Sequence, residues 1–250
     1  MINRRFFLAA TVSVGACAAA HPHSEPHGQE APPTHVMVIA TIHGAHRNST
    51  TYSYDHLYER VRAFAPTAIG VEIRPEDLSP PAAYLASYYP REMIALSQEY
   101  AAIAAGLDWL GPTIEGQPIP DGYFPSTGIP QLSAELEADA AFDNAELDAL
   151  SAQKAALVPD ATASSLNDGR YDAINRDYYR RFAALVQGSR YQPLADFYAA
   201  RDAHIVANAL ALIRANPGGR VALVVGADHR SAVVDAIAAE LAGTATLEPV

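Results

Sequence analysis

The chain has 250 residues, of which half are hydrophobic and 18% are charged, and this composition is typical of a folded globular protein. The 28 acidic side chains outnumber the 17 basic ones, and the net charge of −11 argues against nucleic-acid binding, which needs a basic surface. The single cysteine excludes an intramolecular disulfide bond and a zinc site made of several cysteines.

An export signal is predicted over residues 1–20. Arg4 and Arg5 make the start of the chain positive, and the apolar and small residues that follow form a stretch too short to span a membrane as a mature helix. Residues 3–8 (NRRFFL) resemble the twin-arginine export pattern, with asparagine in its first position. The general export route is the alternative.

Cys17 is predicted to carry a lipid. Residues 14–17 (VGAC) resemble a bacterial lipobox, which would make Cys17 the first residue of the mature protein. The alternative is ordinary cleavage after Ala20, which leaves no lipid. The sequence therefore predicts an exported, periplasmic or cell-envelope lipoprotein that meets the membrane only through this anchor. Residues 21–33, rich in proline and polar side chains, are predicted to be a flexible linker.

A single α/β domain is predicted for residues 34–250. It begins with an apolar strand at 36–41, a helix at 56–65 and a second strand at 68–74. This β-α-β order favours a right-handed parallel crossover. His43 follows the first apolar run, and Glu72 stands where the second apolar run ends. An unpaired carboxylate at such a position would be costly to bury.

The middle of the chain is predicted to be mostly helical. We expect a helix at 90–106, a short strand at 107–110, and a Gly- and Pro-rich loop at 111–130 of the kind that covers a site. A helical insertion, acting as a cap, is predicted at about 131–190. Its helix at 167–187 presents a polar aromatic set that either binds an anionic or aromatic ligand or only joins helices: Tyr171, Asp172, Arg176, Tyr178, Tyr179 and Arg180.

A last long helix is predicted at 194–215. Arg201, Ile205 and Asn208 follow one another at spacings of four and three, so they share one face of this helix. If Ile205 is buried, Arg201 points towards the edge of the sheet. The alternative partners for its charge are neighbouring acids on the solvent side.

The Val-rich run at 221–225 is typical of a strand that is buried on both faces. His229 is predicted to lie in the turn between this strand and a helix at 231–241, and residues 244–247 to form a closing edge strand. The expected fold class is α/β, with a mixed, mainly parallel central sheet flanked by helices and a helical insertion.

Three strand ends are thus expected to bring His43, Glu72 and His229 to one rim, where open α/β sheets bind ligands. Two imidazoles and a carboxylate suit a divalent transition metal. The same groups also suit general acid–base chemistry without a metal. The residues alone leave both possibilities open.

Short motifs carry a resemblance to a known family. Residues 40–43 (ATIH) resemble the G-T-x-H opening of the TraB/GumN/Tiki group, with alanine at the first glycine, and residues 226–229 (GADH) resemble its closing G-x-x-H. Glu72 matches the intervening glutamate, and Arg201 with Asp202 matches the helical arginine motif. This group belongs with the erythromycin esterases and the ChaN-like proteins.

The resemblance implies a centre made of His43, Glu72 and His229, with Arg201 as an electrostatic helper. It implies a hydrolase of the metal-dependent esterase or peptidase type, which uses a divalent metal to activate water against an ester or amide bond in a small-molecule or peptide substrate. Glu72 is then either a ligand of the metal or the general base that activates the water. The alternative is a non-catalytic haem- or metal-binding or sensing lipoprotein that uses the same histidines as ligands.

Overall fold

The computed structural model describes residues 32–250, so the predicted export signal, Cys17 and nearly all of the predicted linker lie outside the described residues. Five parallel strands form one sheet in the order β3-β2-β4-β1-β5. They are β1 (Thr34–Thr41), β2 (Ala68–Val71), β3 (Ala104–Gly106), β4 (Arg220–Gly226) and β5 (Ala245–Leu247). Helices flank the sheet, which confirms the predicted α/β class.

Ten α-helices connect or extend the strands within the described residues. They are α1 (Tyr54–Phe64), α2 (Ala82–Tyr88), α3 (Arg91–Glu99), α4 (Tyr123–Ser126), α5 (Ile129–Glu137), α6 (Ala145–Ala156), α7 (Ala163–Leu166), α8 (Arg170–Val186), α9 (Gln192–Arg214) and α10 (Ala227–Glu240). Short 3₁₀ helices occur at His43–Arg47, Pro75–Asp77 and Ala140–Phe142. None of the helices in residues 32–250 has both the length and the apolar character needed to cross a bilayer.

The central strands are buried on both faces, as their continuous apolar sequences predict. Along β4, Ala222 and Val224 pack into the core on one face of the sheet, and Val221, Leu223 and Val225 pack into the core on the other. All five are fully buried. Burying each of the larger side chains contributes about 1.5–3 kcal/mol, so the two cores hold the strand ends in a fixed arrangement.

The prediction for residues 90–110 was wrong in detail. The helix α3 ends at Glu99, and the strand lies at Ala104–Gly106, before the predicted 107–110. The three small residues of β3 lack the β-branched and aromatic side chains that identify a strand. At Gly106 the backbone of a neighbouring segment passes closely: a Cβ there would lie 2.5 Å from the nitrogen of Pro75.

The loop at residues 111–130, which was predicted to cover the site, is held by the buried side chain of Arg74. Arg74 is buried and donates hydrogen bonds to the carbonyls of Ile114 and Gln117, both over 2.9 Å. Tyr123 is buried and donates to the carbonyl of Leu110 over 2.7 Å. The loop is therefore fastened around the Arg74 side chain.

The helices α5, α6 and α8 pack with the start of α9 around a third apolar cluster. Its buried members are Leu147, Phe182, Val186, Tyr191 and Leu194. This cluster is separate from the two cores on the sheet, so α5, α6 and the later part of α8 are built around an apolar centre of their own. The helix α7 differs, because Ala163 and Leu166 pack into a core on the sheet.

Candidate active site

The carboxyl ends of β2, β4 and β1 meet, because these strands are neighbours in the sheet and all run in the same direction. Glu72 directly follows β2, and its Oε2 accepts a hydrogen bond from the backbone N–H of Gly226 over 2.6 Å. Its Oε1 lies 3.5 Å from Nε2 of His229. Nε2 of His43 approaches the same point of Gly226 as the Glu72 carboxylate does. The three residues predicted at one rim are therefore brought together.

Gly226 is in contact with two of these side chains. A Cβ on this residue would lie 2.7 Å from Nε2 of His43 and 3.2 Å from Oε2 of Glu72. Real Cβ atoms essentially never lie within 3.0 Å of another heavy atom, so any other residue at the end of β4 would have to displace the His43 ring. This contact explains in physical terms why a glycine opens the 226–229 motif.

His229 differs from its predicted position. The helix α10 begins at Ala227, directly after β4, so His229 lies in the first helical turn and not in a preceding loop. Gly226 is extended, with φ −55° and ψ 146°, and serves as the N-cap. No linking residues separate strand and helix, so His229 is held by both the sheet and α10.

The His229 ring lies between two carboxylates. Its Nδ1 is 2.6 Å from Oδ1 of Asp202, and because a carboxylate only accepts, Nδ1 carries the hydrogen. Its Nε2 faces Oε1 of Glu72. Burial alone lowers the pKa of His229, but the charge of Glu72 and the hydrogen bond to Asp202 raise it above the ordinary value. The arrangement favours an imidazolium with its Nε2 hydrogen directed into the site.

His43 has a carboxylate of its own. Its Nδ1 donates to Oε1 of Glu92 over 2.8 Å, and Glu92 is fully buried whereas the His43 side chain is 40% exposed. Burial lowers the pKa of His43, but the hydrogen bond to Glu92 and the nearby charge of Glu72 raise it overall. Glu92 also accepts from the hydroxyl of Thr41 over 2.8 Å, which fixes the orientation of the carboxylate.

The backbone of His43 is strained. Its φ is +49°, in the left-handed region, which costs a residue other than glycine about 1 kcal/mol or more. This conformation turns the chain sharply after β1 and starts the 3₁₀ helix at His43–Arg47. Such strain is often found where a side chain must be held in a particular direction.

Arg201 reaches the site from α9, as predicted. Its Nη2 donates to Oε1 of Glu72 over 2.8 Å, and its Nε and Nη2 bind both oxygens of Asp108 over 2.7 and 3.0 Å. Ile205 on the same face is fully buried, and Asn208 donates to the carbonyl of Leu107 over 2.9 Å. Arg201 thus pairs with acids inside the protein, whereas Asp202 binds His229.

The charge of Glu72 follows from these contacts. Burial raises the pKa of a carboxyl group, but the charges of His229 and Arg201 outweigh burial and hold the pKa of Glu72 below its ordinary value. Burial alone would lower the pKa of Arg201, and the charges of Asp108 and Glu72 raise it. The site therefore contains an ionised carboxylate paired with a permanent guanidinium cation.

Three carboxylates of the site were not among the predicted residues: Glu92, Asp108 and Asp202. A signal existed for Glu92, because it shares the buried side of α3 with Met93 and Leu96, and a carboxylate there must have a partner. Asp108 was assigned to a strand. Asp202 belongs to the arginine motif, but no partner at the site was predicted for it. Cys17 lies outside the residues that the structure describes.

The contacts of Glu72 decide whether the site fits a divalent metal ion. Two imidazoles and a carboxylate are suitable ligands, but Glu72 accepts from Arg201 on Oε1 and from Gly226 on Oε2. A guanidinium cation thus lies where a divalent ion would bind, so this arrangement does not fit one. Across residues 32–250, no three His, Cys, Asp or Glu side chains group as ligands. We assign no step to a metal, and the divalent ion remains a prediction.

The first turn of α10 also forms hydrogen bonds with α6 and α8 of the helical insertion. Asp228, next to His229, accepts on Oδ1 from Nζ of Lys154 over 3.1 Å and from the hydroxyl of Tyr171 over 2.7 Å. Its backbone carbonyl accepts from Nδ2 of Asn175 over 2.6 Å. The side chains of α6 and α8 are therefore joined to the residue beside His229.

No family model, no curated protein and no solved structure matches this chain at a significant level. The resemblance to the TraB/GumN/Tiki group therefore depends on the short motifs alone. Any assignment of function depends on the chemistry of the residues just described.

Proposed function

We propose that this protein is a hydrolase that breaks an ester or amide bond by acid–base catalysis with His43 and His229. One observation carries the proposal: each imidazole holds a separate carboxylate with Nδ1, while its Nε2 is directed towards the region around Glu72 and Gly226. Two histidines oriented in this way by carboxylates form a pair of proton carriers.

His43 is assigned as the general base. Its side chain is the more exposed of the two, 40% against 12%, so a water molecule and a substrate can reach it. The water oxygen bonds to the carbonyl carbon while Nε2 of His43 takes the water proton. Glu92 stabilises the imidazolium that forms, because its carboxylate accepts the Nδ1 hydrogen.

His229 is assigned as the general acid. Its Nε2 is 3.5 Å from Glu72, longer than a charge-assisted hydrogen bond, so this hydrogen is not committed to the carboxylate. When the bond from the carbonyl carbon to oxygen or nitrogen breaks, Nε2 gives its proton to the departing alcohol or amine. Solvent then returns a proton to His229 and removes one from His43, which restores both rings.

Arg201 is proposed to stabilise the negative oxygen of the tetrahedral intermediate. Asp108 and Glu72 engage its Nε and Nη2 groups, which leaves the two hydrogens on Nη1 directed elsewhere. Its side chain is 22% exposed, so an oxygen of the substrate can approach it. A donor aimed at the developing oxyanion is usually a large contribution to catalysis.

We also propose that the protein is exported, as its sequence predicts. The positive start, the short apolar stretch and the VGAC sequence at residues 14–17 support an envelope lipoprotein anchored through Cys17. In such a location the substrate is a small molecule or peptide of the cell envelope or its surroundings.

The test is turnover of a panel of nitrophenyl esters and aminoacyl nitroanilides by the purified protein. His43→Gln removes the base, and we expect the rate to fall by about a hundredfold or more. The matched control is His56→Gln, because His56 is an exposed histidine at position N3 of α1, where glutamine forms the same capping box. Equal loss in both variants, or no loss in either, would contradict the assignment.

A second readout separates the base from a merely structural residue. Glu92→Gln removes the charge that raises the pKa of His43, so the rising limb of the pH–rate profile should move to lower pH. An unmoved limb argues against His43 as the base. Stoichiometric metal, or a Soret band in a protein without turnover, would favour the metal- or haem-binding alternative.

A further inference from the structure

A cavity of about 210 Å³ lies among α5, α6, α8 and α9. Its lining includes Glu137, Ser151, Lys154, Tyr178, Tyr198 and Asp228. We call it the insertion cavity.

The insertion cavity adjoins the candidate active site at two points. Asp228 lines the cavity, and the next residue along α10 is His229. Tyr198 also lines it, and Asp202, which holds the His229 ring, lies four residues further along α9 and so on the same face. A molecule in the cavity would therefore contact residues that directly adjoin His229 and its partner Asp202.

The cavity wall holds a nearly buried cation. Lys154 is the only lysine of the chain, its side chain is 12% exposed, and its Nζ donates to Asn175 over 3.0 Å and to Asp228 over 3.1 Å. Nζ also lies 4.5 Å from the centre of the Tyr178 ring and 5.4 Å from that of Tyr179. The cation is thus fixed in place by these contacts.

The charges around the cavity disfavour an ionic ligand. The arginines of α8 bind acids: Arg176 pairs with Asp235, and Arg180 and Arg181 pair with Asp177. These arginines are therefore paired with acids of the protein itself. An anion in the cavity would meet Asp228 and Glu137, and a second cation would meet Lys154.

We infer that the insertion cavity binds a neutral, hydroxylated ring, a single sugar unit, as the part of the substrate that carries the ester or amide group. The aromatic side chains that line the cavity, Tyr198 and Phe182 among them, offer apolar surface to the C–H groups of such a ring. The carboxylates of Glu137 and Asp228 accept its hydroxyl hydrogens, and the hydroxyl of Ser151 both donates and accepts. This inference rests on the proposed function and names the class of its substrate.

The experiment is binding of free sugars, which needs no turnover. The probes are methyl glucoside and N-acetylglucosamine as neutral rings, with glucosamine as the cation and glucuronate as the anion. Calorimetry or ligand-observed NMR on the full-length protein measures each affinity. We expect the neutral sugars to bind more tightly than both charged ones.

A pair of serine variants locates the binding. Ser151→Leu puts an apolar side chain into the cavity, and it should weaken neutral-sugar binding by about tenfold or more because the space is filled. Ser164→Leu is the control, since Ser164 is also an exposed helical serine but lines a different cleft, beside His56 and Arg60. Its affinity for the sugars should match that of the wild type.

Each outcome decides the question. Stronger binding of glucosamine or glucuronate, no binding of any sugar, or equal affinities in wild type and Ser151→Leu overturns the inference. If neutral sugars bind and Ser151→Leu abolishes binding, yet no ester or amide is hydrolysed, the cavity assignment stands and the proposed hydrolysis fails. If simple esters are hydrolysed but no sugar binds, only the cavity assignment fails.

Discussion

Gly226 donates its backbone N–H to Glu72 over 2.6 Å, while its Cα lies so close to the His43 ring that the site has no room for a methyl group. One residue therefore positions the carboxylate and limits the approach of the proposed base. A substitution at this position tests whether that spacing matters.

Gly226→Ala is expected to destabilise the protein by about 1–3 kcal/mol, because the new methyl group forces His43 and Glu72 apart in a packed site. Hydrolysis should fall in parallel. Urea unfolding and the ester assay measure the two effects. Gly44→Ala is the control, since a Cβ at Gly44 meets nothing within 4 Å. If both variants have the same stability and the same rate, the close approach between Gly226 and His43 does not contribute to function.

Arg201→Lys keeps the charge but loses the two-point contact with Asp108. We expect a loss of about 1–3 kcal/mol in the free energy of unfolding, because hydrogen bonds to buried carboxylates are removed. The rate should also fall, because lysine lacks the Nη1 group that is proposed to stabilise the negative oxygen of the intermediate.

The control for this variant is Arg62→Lys. Arg62 makes the same two-point contact with Glu99, over 2.7 Å for each bond, but on the surface of the protein. Surface pairs contribute little, so this variant should retain stability and rate. A wild-type rate in Arg201→Lys would remove Arg201 from the catalytic proposal.

The stability of the protein should depend on pH through His229. Its pKa in the folded protein is raised, so its stabilising contribution is fully present below the unfolded value of about 6.5 and is lost as pH rises through the folded value. Urea unfolding at a series of pH values measures this loss.

Asp202→Asn removes one cause of the raised pKa, so the fall in stability with rising pH should become smaller. Asp196→Asn is the matched control, because Asp196 is an exposed acid on the same helix. An unchanged pH dependence in Asp202→Asn would show that the pair with His229 does not contribute to folding.

Cys17→Ala should move the expressed protein from the membrane fraction to the soluble envelope fraction, because it removes the proposed lipid attachment site. Fractionation and immunoblotting measure the distribution, with metabolic labelling by a fatty acid as the direct readout. Retention of the variant in the membrane fraction would favour a simple signal peptide or an uncleaved anchor.

The sequence was sufficient to place the ends of the main strands. Continuous apolar runs at β1, β2 and β4 have few alternative structures, and polar side chains directly after them must lie at the carboxyl edge of a parallel sheet. This reasoning found His43, Glu72 and His229. The helical spacing of Arg201 and Ile205 was equally informative, because burial of Ile205 fixes the direction of Arg201.

The partners of these residues could not be found in the same way. Glu92 and Asp108 reach the site through the placement of α3 and β3, and β3 consists of three small residues with almost no strand signal. Asp202 adjoins Arg201 in sequence, and only the packing of α9 beside α10 shows that it faces His229. Contacts between distant elements depend on packing, which local periodicity does not encode.

The attachment of the insertion to Asp228 has a kinetic consequence. Lys154 and Tyr171 hold the residue next to His229, so a ligand that orders α6 and α8 also steadies the proton donor. Binding energy from a remote part of a substrate can in this way be used in the transition state. A substrate without that part would then react with a lower kcat and a nearly unchanged KM.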